Sequence, residues 1–204
     1  MRTLFLSSSG LNENTSSEFW KCIKKDPAKT KVIFVPSAAV GTDGAREGIA
    51  LGMEGLMNMG IPFGNILIYD LSLLISENYK RTYSCYVKNI PTPIRLMSVE
   101  EINQYDAIVF CGGDACRLLN EVKRTGFSTP LKQAVENGLI YLGISAGSMI
   151  AAGNFPDGLG YLTNPIIPHA EEGTPCGEVP SDEPIKMADG QVIVIKGDKK
   201  EIIC

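Results

Sequence analysis

The sequence predicts an α/β fold, a three-layer sandwich with a mostly parallel central sheet and a C-terminal β-hairpin. Three observations carry this. Five short apolar runs, TLFLSS, KVIFVPS, NILIYD, DAIVFCGG and LIYLGIS, are β-rich and nearly continuous instead of alternating, the pattern of strands buried on both faces of a parallel sheet. Helical stretches separate them, so successive strands are joined by crossovers. After the last run, QVIVIK lies between the turn pairs Asp189-Gly190 and Gly197-Asp198, which reads as a terminal hairpin or meander.

Taken in order, TLFLSS is the first strand. Its apolar core of Leu4, Phe5 and Leu6 is too brief for the hydrophobic region of a secretory leader. Helices are expected over residues 16–25, 42–59, 115–124 and 130–137, the second carrying Ile49, Leu51, Met53, Leu56 and Met57 among many small residues. The fourth ends at Asn137-Gly138, a suitable C-cap pair. The basic stretch KCIKKDPAKTK reads as a solvated helix face and loop. Residues 72–97, with several tyrosines and two prolines, fit the alternation least; a surface excursion and a hairpin are both open, and no role is assigned. SVEEINQYD then resumes as a short helix.

A chain of 204 residues is long enough for one domain, residues 1–204, with a core that needs no staples. The net charge of −4 and pI near 5.1 argue against a nucleic-acid binder, because neutralising phosphates takes a basic surface. No run approaches the roughly 20 apolar residues of a membrane-crossing helix. Cysteines at 22, 85, 111, 116, 176 and 204 form no CxxC pair, suiting neither a zinc site nor a secreted disulfide framework. Reduced thiols and a cytoplasmic location are the expectation.

The chemistry centres on Gly143-Ile144-Ser145-Ala146-Gly147, where a strand passes into a run of helix formers. Gly-x-Ser-x-Gly at such a turn is a nucleophile elbow: the glycines let the chain turn tightly, and the serine hydroxyl projects into the crevice at the carboxyl ends of the strands. The pentapeptide alone is weakly specific, since glycine and serine also serve packing and capping at strand-to-helix turns. Its context shifts the reading toward function. A serine nucleophile needs a base, and His169 is the one histidine of the chain, following a proline after an apolar segment suited to one more strand. Gly112-Gly113 end the preceding strand. Paired glycines there let a backbone N–H approach a ligand, so Gly113 and Ala146 become candidates for an oxyanion hole. A tight turn with Asp114 as helix N-cap is compatible with the same residues.

With VFCGGDACRLL, YLGISAGS and IIPHAEE in this order, the sequence resembles the serine peptidase family of aspartyl dipeptidases (peptidase E) and cyanophycinases, proteins similar in fold to class I glutamine amidotransferases. The resemblance also takes in TLFLSSS, VIFVPSA, LLNEVKRTG and SDEPIKMADGQVIVI. It implies Ser145 as nucleophile, His169 as general base, backbone groups of Gly113 and Ala146 as oxyanion hole, and an acyl-enzyme hydrolysed by water with no metal or organic cofactor. The chain departs from the family in its short segment between the elbow and the histidine and in Ala170, where an aromatic residue usually follows Pro-His. Asp157 is the one carboxylate between Ser145 and His169 and is taken as the triad acid, with Glu171, Glu172, Asp182 and Glu183 as other candidates.

The expected function is a serine peptidase acting on small peptides, including the aspartyl dipeptides that the resemblance implies, with Arg46 and Arg117 as candidates to meet an acidic group. The expected partner is a small peptide, with neither nucleic acid nor membrane; a homodimer is compatible with the reading. The alternative is a catalytically weak or inactive family member that binds a metabolite or a partner. An α/β-hydrolase-type esterase ranks last, because too little chain follows Ser145 to supply its distant acid and histidine.

Overall fold

The computed structural model describes residues 1–76, 81–82 and 94–204. The five apolar runs form the strands β1 (Thr3–Ser7), β2 (Val32–Val35), β3 (Ile66–Ile68), β4 (Ala107–Phe110) and β5 (Ile140–Ile144). The chain then adds β6 (Ile166–Ile167), β7 (Gly177–Glu178), β8 (Ile185–Lys186), β9 (Val192–Lys196) and β10 (Lys199–Ile203). The large sheet has the order β3-β2-β4-β5-β1-β9-β10-β7, parallel from β3 to β1 and antiparallel from β9 onward. The mostly parallel α/β architecture is as expected, and the tail forms the β9–β10 hairpin across Gly197-Asp198.

Burial explains why the runs are continuous. Leu4, Phe5 and Leu6 of β1, all of β2, and Ile108, Val109 and Phe110 of β4 are completely buried, so apolar residues are needed on both faces. Each such side chain contributes about 1.5–3 kcal/mol relative to exposure. That burial holds the carboxyl ends of the central strands at fixed positions.

The helices are α1 (Glu13–Ile23), α2 (Ala45–Asn58), α3 (Val99–Ile102), α4 (Ala115–Thr125), α5 (Ser128–Glu136) and α6 (Ala146–Ala151). Capping moves their ends from the sequence expectation. The Asn12 side chain accepts from Thr15 N and starts α1 earlier, whereas Gly44, with φ 75°, turns the chain into α2 three residues later than expected. Pro130 lies in the first turn of α5, where its missing N–H costs nothing. Asp114 does cap α4, accepting from Arg117 N at 3.0 Å.

Most of 72–97 lies outside the described residues. Of the described part, Arg95 forms a bidentate pair with Glu101 at the start of α3, and its carbonyl accepts from the buried Tyr69 hydroxyl at 2.8 Å. The cysteine expectation is corrected. Cys176 and Cys204 form a disulfide with Cα atoms 6.3 Å apart, because the β10–β7 pairing of Ile202 with Gly177 brings the chain end beside residue 176. A separation of 28 residues hides this partnership from spacing. Among the described residues, Cys22, Cys111 and Cys116 are free thiols.

Candidate active site

The elbow is built by close packing around two glycines. A Cβ on Gly143 would stand 2.6 Å from the backbone of Gly147 and Ser148, and one on Gly147 would stand 2.7 Å from Phe110. The first turn of α6 is thus pressed onto β5 and β4 with no room for a methyl group. The buried Ser148 hydroxyl lies 2.8 Å from the Ser7 carbonyl and 2.9 Å from that of Gly143, tying α6 to β1 and β5. Tyr141, buried under the elbow, donates to the Gly147 carbonyl at 2.7 Å. This packing holds Ser145 at φ 48°, ψ −102°, a conformation that non-glycine residues seldom adopt. The serine is held in a strained, outward-facing position.

Gly112 and Gly113 follow β4 on the same side. Gly113, at φ 136°, presses against the backbone of Ala38 and Ala39, and Asp114 N donates to the Ala38 carbonyl at 2.9 Å. The site thus collects the carboxyl ends of β1, β2, β4 and β5, where open α/β sheets bind ligands.

His169 comes from outside the main sheet. β6 and β8 pair in parallel with Ile166 opposite Ile185 and Ile167 opposite Lys186, so the residues that follow each strand leave in the same direction. His169 N donates to the Ser8 hydroxyl at 2.8 Å, and Ala170 N donates to the Met187 carbonyl at 3.0 Å. The imidazole Nε2 then lies 3.0 Å from Ser145 Oγ. Its Nδ1 lies 2.8 Å from Asp189 Oδ1.

The carboxylate at the histidine is therefore Asp189, and the expectation for Asp157 is corrected. Asp157 is exposed and pairs with Lys123 of α4, whose ammonium holds that carboxyl below its ordinary value. The hydrogen bond from His169, aided by the hydroxyls of Ser8 and Ser9, likewise keeps Asp189 below the usual carboxylate value. The turn that carries it is fastened by Gly190 N donating to Ser9 Oγ at 3.1 Å and by Ala188 N donating to Gln191 Oε1 at 2.9 Å. Reading Asp189-Gly190 as a turn signal alone missed its second use. A signal was present: Pro165-Ile166-Ile167 precedes His169 and Pro184-Ile185-Lys186 precedes Asp189, two short strands of one pattern. Ser8 and Ser9, at the end of TLFLSSS, also have a second use, bonding the backbone of His169 and of Gly190.

Ser145 and His169 open onto a cleft of about 350 Å³ between the elbow and α2. Cys111 also lines it, but burial pushes this thiol up to about 11, leaving it protonated near neutral pH. Neither Arg46 nor Arg117 is among the lining residues. Among the described residues no cluster of three or more His, Cys, Asp and Glu side chains could hold a metal ion, and no helix is long and apolar enough to cross a membrane.

Residues 83–157, which include the Gly112-Gly113 turn and the elbow, match peptidase family S51. Over this part of its length the chain is similar to peptidase E proteins. Peptidase E of Streptomyces coelicolor is 43% identical over 51 residues, covering 25% of this chain and 21% of that protein. The pyridoxal 5'-phosphate synthase subunit PdxT of Pyrococcus furiosus is 36% identical over 53 residues, 26% of this chain and 27% of that one. The chain thus covers only about a quarter of the length of these curated relatives. The fold extends further: a solved structure of a protein proposed to be a peptidase E from Listeria monocytogenes EGD-e superposes with TM-score 0.65 at 19% identity, covering 100% of this chain and 98% of that one.

Proposed function

We propose that residues 1–204 form one serine peptidase unit that hydrolyses small peptides through Ser145, His169 and Asp189. The observation that carries this reading is the continuous chain of hydrogen-bonding groups, 3.0 Å from Ser145 Oγ to Nε2 and 2.8 Å from Nδ1 to Asp189. An ionised Asp189 accepts a hydrogen bond from Nδ1–H and so selects the tautomer whose Nε2 is free to take the serine proton. Ser145 Oγ attacks the scissile carbonyl, and the N–H groups of Gly113 and Ala146 receive the developing oxyanion. His169 returns the proton to the leaving amine. An acyl-Ser145 forms, and a water activated by the same histidine hydrolyses it.

The argument for the alternative, an inactive binding module, is the short segment between the elbow and His169, which offers Asp157 as its one carboxylate. Asp189 at His169 removes that argument, and the strained φ of Ser145 speaks for activity, since backbone strain of this kind gathers at functional sites.

Intact-mass detection of fluorophosphonate labelling tests the reading. Wild-type protein is expected to take one adduct, and Ser145→Ala and His169→Ala none. Folded wild-type protein that takes no adduct would sink the peptidase assignment and return the binding module to first place.

A further inference from the structure

The cleft beside Ser145 has a chemical character that points to a substrate class. Its walls include Leu11, Leu51, Leu56, Met59, Leu142 and Ile144, and no lysine, arginine or carboxylate lines it among the described residues. Leu51 leaves 66% of its surface exposed, so this wall presents a large apolar side chain to the open cleft. Gly48 and Gly55 of α2 also face this space, and a Cβ on either would meet nothing within 4 Å. The helix leaves volume open there, and the volume is apolar.

The residues that line the cleft select the part of the substrate. The His169 side chain, which protonates the leaving amine, is 53% exposed, so the leaving group departs on an open side. The cleft is lined by Ser145 together with Gly112 and Gly113, beside the proposed oxyanion donor, so the side chain of the residue that stays bound to Ser145 in the acyl-enzyme lies against its apolar wall.

We propose that the cleft takes an apolar side chain, of the size of leucine or methionine, on the acyl side of the scissile bond, so that the preferred substrates are short peptides donating an apolar residue and not an aspartyl one. This rests on the serine peptidase reading above. A leucine side chain gains by leaving water against these walls, whereas a carboxylate there loses hydration with no cation among the described lining residues to replace it.

The test compares leucyl, methionyl and aspartyl p-nitroanilides on wild-type protein, Gly55→Leu and Leu51→Arg. Wild type is expected to favour leucine or methionine over aspartate by tenfold or more in kcat/KM. Gly55→Leu is expected to raise KM for the leucyl substrate at least tenfold. Its melting midpoint should stay at or above that of wild type, because leucine is the better helix former. Leu51→Arg is expected to shift the ratio toward aspartate. If Ser145 labels with a fluorophosphonate but aspartate is preferred, or Gly55→Leu leaves leucyl turnover unchanged, the apolar assignment is wrong and the peptidase reading survives. If Ser145 does not label, both fall together.

Discussion

The two halves of the candidate active site are held by different physics. Ser145 sits on the parallel half of the sheet, between fully buried strands, and its conformation follows from contacts too close for a methyl group at Gly143 or Gly147. His169 and Asp189 sit on irregular chain beyond two-residue strands, with side chains 53% and 65% exposed, fixed by a few hydrogen bonds to Ser8, Ser9 and Gln191. Close packing positions Ser145, while polar contacts and parallel pairing position His169 and Asp189. Changes in the first half should therefore act on stability and activity together, and changes in the second mainly on activity.

The sharpest break of that comparison is Asp189→Asn. It is expected to lower kcat by about 10³–10⁴-fold with little change in melting midpoint, because the imidazole loses its orienting acceptor while no buried group is lost. Asp157→Asn, which removes only the exposed partner of Lys123, should leave kcat/KM within about twofold. Equal effects of the two substitutions would contradict the assignment of the acid.

Reduction of the Cys176–Cys204 disulfide comes next. Releasing a loop of 28 residues is expected to cost about 2–4 kcal/mol, read as a lower denaturant midpoint with reductant, and intact mass should rise by about 2 Da. Gln191 touches both sulfurs and also receives Ala188 N from the Asp189 turn, so kcat should fall too. A change in stability with no change in kcat would separate the disulfide from the site.

Ser148→Ala probes the packed half. The hydroxyl bridges two strand carbonyls in the core, and its loss is expected to cost about 1–3 kcal/mol in chemical denaturation and to lower kcat, since the elbow loosens. Activity unchanged at reduced stability would show that packing alone suffices.

The smallest effect is on pH. The Asp189 carboxyl lies below its ordinary value in the folded chain, so its contribution is fully present above the unfolded value of about 3.9 and is lost as pH falls through the folded one. The stability difference between wild type and Asp189→Asn should accordingly be constant near neutrality and vanish in acid. Because the group is exposed, the difference should stay below about 1 kcal/mol.

How far the site was legible follows the same division. Gly-x-Ser-x-Gly between an apolar run and a helical stretch is local information, and so is Gly112-Gly113 after β4, because the steric needs of a tight turn are met by residues adjacent in sequence. His169 was legible by elimination, being the one histidine. Asp189 was not, because what joins it to His169 is the register of β6 on β8, two strands too short to announce themselves by periodicity. Searching for the acid between elbow and histidine led instead to Asp157, whose partner is a lysine on α4.

By itself, the amino-acid sequence determined the alternation of buried strands and helices, the elbow with its serine, and the acidic balance that argues against a nucleic-acid partner. Each of these depends on composition or on neighbours within a few residues. Only the tertiary structure decided which carboxylate meets the histidine, which cysteines join, and that a cleft with leucine and methionine walls faces the serine. Those are relations between segments far apart in the chain, and their geometry exists only once a packed sheet has fixed where each loop emerges.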